Sequence, residues 1–355
     1  MSLDSYLRAA PKAELHVHLE GSIRPATLLM LAERNGVPLP ATTETGLRDW
    51  FAYRDFDHFI AMYVACTQCL RTTEDYELVV YEFGAEMARQ NVRYAEVTFS
   101  PSTNWVFGVP QSVWFPGLTR GRARVRADFG VAINWVFNIV RSWTDETRTT
   151  PTADYTTRVA IEGMDDGVVA LGLGGSEVDR PPEPFAPWFD RARAAGLHSD
   201  PHAGETAGPE SIWGALRALG AERIGHGVRA IEDPTLIAYL AARRIPLEIN
   251  PTSNIRLGVY PNLAAHPLRQ LHDAGVIVTV NSDDPPLFNT TLNNEVALLA
   301  EPFGLTVAAI DTILLNAVRY SFLPPARRQA MEAAFTAELA ALKTVHLTDV
   351  LSRDI

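Results

Sequence analysis

Eight short apolar runs, separated by helix-like stretches, constrain the fold of this chain more than any other feature. Several of the intervening stretches begin with proline and end at glycine, which is the usual asymmetry of helix ends. Runs such as Val276–Val280 are apolar on both faces, as strands buried in a parallel sheet are. The predicted strands are Glu14–Leu19, Tyr94–Phe99, Ala132–Val140, Val168–Leu173, His198–His202, Arg223–Gly225, Pro246–Asn250 and Val276–Asn281.

This alternation predicts an α/β fold, a closed (β/α)8 TIM-type barrel, with an open doubly wound sheet as the alternative. The barrel is favoured because polar motifs follow both the first and the last predicted strand, and closure makes those two strands neighbours. An open sheet would need a special strand order to bring the same motifs together.

Two stretches are longer than a simple crossover. Residues 24–90 are predicted to be a helical insertion after the first strand that lies over the barrel mouth. Residues 306–342 are predicted to form extra C-terminal helices, broken at Pro324-Pro325. We detect no linker or repeat, so residues 1–355 are predicted to be a single domain. The expected helices of the insertion are Pro25–Asn35, Phe56–Leu70 and Thr73–Gln90.

Composition limits the partners and the compartment. The formal net charge of −11 argues against nucleic acid or an anionic membrane as the main partner. No apolar run approaches the length of a membrane span, and no signal peptide is expected, because no basic segment followed by an apolar stretch is seen near residue 1. The cysteines, Cys66 and Cys69, allow no disulfide framework, so a cytoplasmic location is expected. Both follow a helical spacing and are predicted to be packing residues. The sequence leaves the oligomeric state open.

Three imidazoles and one carboxylate stand at strand ends. His16 and His18 lie two apart in the first strand, so their side chains share one face. His202 ends the fifth strand, and Asp283 follows the last one. This donor set suits one zinc ion (Zn²⁺) per chain and leaves a position for water, as a catalytic site requires.

Three further residues accompany this set. Glu205 follows His202 by three residues. Its carboxylate is expected to lie beside the metal-bound water, or alternatively to be only a negative charge at the N-terminus of the next helix. His226 is flanked by glycines. Either the glycines allow another group to approach this histidine closely at a site, or they mark a turn in which the histidine has no special role. Asp284 precedes two prolines and is either a site residue or a turn residue.

Four segments of this chain resemble the hallmark segments of the adenosine deaminase family and occur in the family's order. The resemblance implies a (β/α)8 barrel with one zinc, held by His16, His18, His202 and Asp283, that hydrolyses the 6-amino group of a purine. The segments are Glu14–Gly21, His202–Glu205, Arg223–Gly227 and Asn281–Pro285.

The resemblance also implies roles for the remaining residues. Glu205 would carry a proton to purine N1, and His226 would orient the water and help to deprotonate it. Asp284 would face N7, and the backbone N–H of Gly175 would face N3. Glu20 would handle the 5′ side of the sugar, and His18 would contact the substrate as well as the metal.

The chain departs from the adenosine-specific pattern at Glu20, where aspartate is usual, and at Gly172 and Ser176, where acidic residues are usual. These changes leave the identity of the group on purine N9 open. Arg141, after the third strand, would suit the carboxylate of 6-amino-6-deoxyfutalosine, a 5′-extended adenosine, unless it is a solvated loop residue.

We therefore expect a zinc-dependent deaminase of adenosine or of a 5′-modified adenosine, with adenine deamination as the alternative. A two-metal cyclic amidohydrolase is a second hypothesis, although the fourth strand lacks the lysine that would bridge two metals. A catalytically inactive purine-binding protein is the third, although it would usually have lost a ligand or Glu205.

Overall fold

The fold is an eight-stranded parallel barrel, seen in a computed structural model that describes residues 2–141 and 146–347. The strands follow one another around the barrel in chain order, each hydrogen-bonded to the next. The strands are β1 (Lys12–His18), β2 (Val92–Phe99), β3 (Ala132–Val140), β4 (Val168–Gly174), β5 (His198–Ala203), β6 (Ile224–His226), β7 (Leu247–Ile249) and β8 (Val278–Val280).

Closure of the barrel takes place at Val17 and Asp283, which form a parallel bridge just beyond the end of β8. The backbone N–H of His18 donates to the carbonyl of Asp283 over 2.9 Å, and that of Asp283 donates to the carbonyl of His16 over 3.1 Å. The closed barrel is thus confirmed, and the open-sheet alternative is wrong. The reason is that β1 and β8 each leave one edge for the other, and pairing removes both edges.

The predicted strand positions are confirmed, and the bounds differ at their ends. Two strands differ most: β1 is observed over Lys12–His18 rather than over Glu14–Leu19, and β8 pairs over Val278–Val280 rather than over Val276–Asn281. Ile277 still contributes its carbonyl, which accepts from Leu247, and the Asn281 side chain accepts from the N–H of Leu15. The ends of the apolar run therefore bond outside the regular ladder.

Helices surround the strands and lie in the connections between them. Short 3₁₀ turns occur at Glu20–Ser22, Met164–Asp166, Glu183–Phe185, Val228–Glu232 and Leu263–Ala265. The α-helices are α1 (Leu3–Ala9), α2 (Pro25–Asn35), α3 (Glu44–Trp50), α4 (Phe56–Gln68), α5 (Thr73–Arg89), α6 (Pro101–Val106), α7 (Gln111–Phe129), α8 (Glu146–Glu162), α9 (Ala186–Ala195), α10 (Pro209–Ala218), α11 (Pro234–Arg243), α12 (Pro251–Arg256), α13 (Leu268–Asp273), α14 (Pro285–Phe288), α15 (Leu292–Ala300), α16 (Val307–Arg319) and α17 (Pro325–His346).

The stretch after β1 contains α2 to α5, and the C-terminal stretch contains α16 and α17. The insertion contains one helix, α3, that the sequence pattern did not predict. It is short, and its start is fixed by Thr43, whose hydroxyl accepts from the N–H of Gly46 over 3.1 Å. In α4, Cys66 is fully buried and free, as is Cys69 just after it. Within the described residues, no helix is long and apolar enough to cross a lipid bilayer.

Candidate active site

His16 and His18 lie on the same side of β1, as their spacing predicts, and both are buried. Gly225 on β6 makes room for the first of them. A Cβ atom at Gly225 would stand 2.8 Å from Cε1 of His16, closer than real Cβ contacts come. The Gly225-His226-Gly227 motif therefore has a packing role in addition to the role of its histidine.

The structure brings the four predicted metal ligands together. Nε2 of His18 lies 3.2 Å from Nε2 of His202 and 3.2 Å from Oδ1 of Asp283. Nε2 of His16 lies 3.6 Å from the same carboxylate oxygen. Ligand atoms about 2.0–2.1 Å from a tetrahedral ion are separated by roughly 3.3 Å, so these distances fit one shared ion.

A buried ring nitrogen without a hydrogen-bond partner supports the interpretation that these residues share one metal ion. Nε2 of His16 is buried and has no hydrogen-bond partner among the described residues, although Nδ1 of the same ring contacts Glu248. Buried polar groups normally find a partner, and a ring nitrogen that faces two imidazoles and a carboxylate without one is typical of a metal ligand. The donor set therefore fits a divalent cation.

Asp283 combines the closure of the barrel with this cluster. Its φ of 63° lies in the left-handed region, which is uncommon for residues other than glycine. The bonds to β1 on both sides of the bridge maintain this conformation, and they place the carboxylate beside His16 and His18. Strained backbone of this kind is concentrated at functional sites.

Glu248 on β7 supports His16 from behind. Its Oε2 lies 2.9 Å from Nδ1 of His16, and its Oε1 lies 2.6 Å from Nε of the buried Arg223. The same guanidinium contacts Glu96 at 2.6 Å and Asp200 at 2.7 Å. The carboxylate accepts the proton of Nδ1 and thereby directs Nε2 towards the cluster, as partners of metal-bound histidines do.

Glu205 and His226 face each other next to the cluster. Nδ1 of His226 is 3.7 Å from Oε1 of Glu205, and its Nε2 is 3.8 Å from Oδ2 of Asp283. Burial, with the nearby carboxylates of Asp283 and Glu177, raises the pKa of Glu205 well above its usual range. Burial lowers the pKa of His226 to about 3. These shifts favour the protonated form of the Glu205 carboxyl group and the neutral form of the His226 imidazole.

A chain of hydrogen bonds sets the tautomer of His226. The backbone N–H of Leu268 donates to Nδ1 of His266 over 3.2 Å, so Nε2 of the neutral His266 carries the proton. That nitrogen lies 3.1 Å from Oδ1 of Asn254, and Nδ2 of Asn254 lies 3.2 Å from Nδ1 of His226. Nδ2 of Asn250 reaches the same ring atom at 3.2 Å. Nδ1 of His226 therefore accepts, and its Nε2 bears the proton.

An open-sided cavity of about 220 Å³ lies against this cluster. Helix α4 forms one side of it. Asp284 belongs to the wall, is 2 % exposed, and has a pKa raised well above the usual range by burial and by Asp283. Gly21 lies against its Oδ1, where a Cβ atom would come within 1.6 Å. The lining residues are His18, Phe59, Ile60, Tyr63, Val64, Ser100, Thr103, Asn138, Val140, Gly175, His202, Glu205, His226, Leu257, Asp283 and Asp284.

Two predicted substrate contacts lie outside this lining. Glu20 is fully buried, and its Oε1 accepts from the backbone N–H of Ser100 over 3.0 Å. Arg141 is buried as well, so it is not a solvated loop residue. Its guanidinium donates to the carbonyls of Arg180 and His202. Each side chain therefore bonds to backbone groups of the fold through part of its polar atoms, while Oε2 of Glu20 and Nε of Arg141 have no hydrogen-bond partner among the described residues.

The polar residues that contact His16 and His226 from outside the cavity were not predicted from the sequence. Glu248 and Asn250 are two residues apart in a short apolar strand, and this i, i+2 pattern is the signal that could have identified them. Asn254 and His266 carry no such signal, because they reach His226 only through the fold.

Asn138 occupies the space beside Gly172, where a Cβ atom would stand 2.7 Å from Oδ1 of the amide.

Comparisons with known proteins agree with this geometry. A family model described as adenosine deaminase matches residues 11–336. An aminodeoxyfutalosine deaminase from Streptomyces avermitilis is 42 % identical over 96 % of this chain and 94 % of its own length.

Solved structures share the fold. An adenine deaminase from Arthrobacter aurescens superimposes with a TM-score of 0.86 and 32 % identity, over 94 % of this chain and 98 % of that one. An amidohydrolase from Burkhoderia ambifaria with bound Zn gives a TM-score of 0.86 and 27 % identity, over 96 % of this chain and 94 % of that one. By its match over most of its length, the chain belongs to the adenosine deaminase family.

Proposed function

We propose that this protein removes the 6-amino group of a purine by hydrolysis, with one zinc ion per chain. The observation that carries the proposal is the position of the buried Glu205, which lines the cavity beside the cluster of His16, His18, His202 and Asp283. Family membership supports the same reaction.

The proposed metal ligands are His16, His18, His202 and Asp283. Zinc is favoured because Zn²⁺ is intermediate between a hard and a soft Lewis acid, and three imidazoles with one carboxylate suit such an ion. In addition, an amidohydrolase of similar fold was solved with bound Zn. A zinc ion in this position supplies activation of the attacking water, whose pKa it lowers to roughly 7.

Glu205 acts as the acid. Its carboxyl group, kept protonated by burial, donates a proton to N1 as water adds to C6, so negative charge does not build up on the ring. Both protons of the added water then leave its oxygen: the Glu205 carboxylate passes one to the amino group and keeps the other, which restores its acid form. The C6–N bond breaks, and ammonia leaves the 6-oxopurine.

His226 orients the attacking water in this scheme. Its Nε2 bears the proton and faces the cluster, so it donates a hydrogen bond there, and its Nδ1 is occupied by Asn254. In this scheme the side chain acts as a hydrogen-bond donor that orients the water, and its part in deprotonation stays an expectation from the resemblance. Asp284 and the backbone N–H of Gly175 hold the N7 and N3 edges of the purine, since both residues line the cavity.

The substrate is proposed to be adenosine or a 5′-modified adenosine such as 6-amino-6-deoxyfutalosine. The aminodeoxyfutalosine deaminase relative favours the extended substrate. Adenine is the second candidate, favoured by the adenine deaminase neighbour and by the burial of Glu20, which leaves that carboxylate outside the cavity wall.

The other two hypotheses have less support. The lysines of this chain are Lys12 and Lys343. Nζ of Lys12 donates to the carbonyls of Ala10 and Gln90, at the start of β1 and away from the cluster. No lysine therefore stands where it could bridge two metals. An inactive binding protein is disfavoured because the ligands and Glu205 are all present at the site.

The decisive experiment measures ammonia release and metal content of the purified protein. We expect close to one zinc per chain and the highest kcat/KM for 6-amino-6-deoxyfutalosine among that compound, adenosine, 2′-deoxyadenosine and adenine. A preference for adenine would establish the second candidate. Two metals per chain, or no ammonia from any of the four compounds, would refute the proposal.

A further inference from the structure

Glu177, in the loop that follows β4, makes an unusual number of hydrogen bonds to the segment that carries Glu205. Its Oε1 accepts from the backbone N–H groups of Glu205 at 2.8 Å and Thr206 at 3.0 Å. Its Oε2 accepts from the backbone N–H of Gly204 at 2.8 Å and from the hydroxyl of Ser211. One buried carboxylate thus binds three consecutive amides.

We propose that Glu177 is the positioning residue for Glu205, holding the turn that aims the acid at the purine. This inference rests on the proposed function, since the role of Glu205 belongs to it. Glu177 does not line the cavity and contacts no metal ligand side chain, so it would act only through the turn.

The turn is short and needs an external acceptor. Strand β5 ends at Ala203 and α10 begins at Pro209, so the amides of residues 204–206 belong to neither the sheet nor the helix. Gly204 and Glu205 are buried, and their N–H groups would lose water without gaining a partner if Glu177 were absent. A carboxylate is suited to this task because it only accepts and offers two oxygens.

Arginines hold the same turn from the opposite side. Nη1 of Arg229 donates to the carbonyl of Thr206 over 2.9 Å, and the backbone N–H of Arg229 donates to the carbonyl of Gly204 over 3.0 Å. Arg141 donates to the carbonyl of His202. The N–H groups of residues 204–206 therefore bond to Glu177 and the carbonyls of Gly204 and Thr206 bond to Arg229, which restricts the backbone that bears Glu205.

The loop of Glu177 also contributes to the cavity. Gly175, two residues earlier, lines it and is proposed to face purine N3. One short segment, 175–177, therefore fixes both a direct purine contact and the acid for N1. A shift of this segment would change the separation between Glu205 and the ring, and a misplacement of about 1 Å costs on the order of 100-fold in rate.

The test compares Glu177→Gln with a matched variant, Asp75→Asn. Asp75 is also a buried carboxylate that accepts from two backbone N–H groups before a helix, those of Arg71 at 2.9 Å and Thr72 at 2.8 Å, but it lies outside the site. The glutamine amide has one acceptor atom and places N–H groups against the donors of the turn.

We expect Glu177→Gln to lower kcat by about 100-fold, with KM changed by less than about threefold and zinc content unchanged. Asp75→Asn should keep kcat near that of the wild type, even with a comparable loss of thermal stability. A crystal structure of Glu177→Gln should show displacement of the Glu205 backbone, and Glu177→Asp should recover part of kcat.

The inference is overturned if Glu177→Gln keeps kcat within about threefold of the wild type, or if Asp75→Asn loses as much. If Glu177→Gln does not fold, Glu177→Asp decides: a fall in kcat without displacement of the Glu205 backbone, or displacement of that backbone without a fall in kcat, overturns the inference. Absence of ammonia release by the wild-type protein is a different result, because it contradicts the proposed function itself.

Discussion

Nδ2 of Asn254 lies 3.2 Å from Nδ1 of His226 and donates to it, because Oδ1 of the same amide already accepts from His266. The imidazole therefore carries its proton on Nε2, towards the cluster of metal ligands. A residue that neither lines the cavity nor belongs to a hallmark motif determines what His226 is able to do.

We expect Asn254→Asp to reduce kcat by 10²–10³-fold or more, since a wrong histidine tautomer costs about 10⁴ in a serine protease triad. The carboxylate can only accept, so it draws the proton of His226 to Nδ1. Nitrogen-15 NMR of labelled histidine would detect this change of tautomer directly. Asn262→Asp is the matched control, because the exposed Asn262 caps a turn through the same oxygen and should tolerate the change.

The contact between Glu248 and His16 should determine the affinity for metal. Glu248→Gln is expected to weaken zinc binding by about 10–100-fold, because the amide is a poorer acceptor for the N–H of a metal ligand. Competition with a coloured chelator measures this affinity. The control is Glu222→Gln, which alters a similar carboxylate–imidazole contact at His198, 2.9 Å long but largely exposed. Equal affinities in the two variants would contradict the role of Glu248.

Gly21 should be required for the placement of Asp284. A methyl group at Gly21 would overlap Oδ1 of that carboxylate, so Gly21→Ala is expected to lower kcat/KM at least tenfold and to destabilise the fold by about 1–3 kcal/mol. Gly108→Ala separates the two effects, because Gly108 has a φ of 80° and open space around it. It should cost about 1 kcal/mol and leave kcat/KM unchanged. Denaturant titration and steady-state kinetics provide the measurements.

Arg141 distinguishes a structural contact from a substrate contact. Its donors are directed to the carbonyls of Arg180 and His202, so Arg141→Met should lower kcat/KM for adenosine and for 6-amino-6-deoxyfutalosine by similar factors. An arginine that binds the substrate carboxylate would instead affect only the second compound, by roughly 2–5 kcal/mol in binding. The ratio of the two kcat/KM values is therefore the informative quantity.

The barrel and the clustering of the proposed metal ligands could be predicted from sequence because each rests on a local rule. Apolar runs bounded by proline and glycine mark strands and helices, and the i, i+2 spacing of His16 and His18 fixes their common face. His202 and Asp283 could be added because parallel strands end at the same rim. Only the tertiary structure decided which residues hydrogen-bond to the site residues. Glu248 contacts His16, Asn254 contacts His226 and is itself bonded to His266, and Glu177 accepts from the backbone N–H of Glu205. Those contacts join residues from different loops, and loop paths follow from packing, which no local pattern encodes.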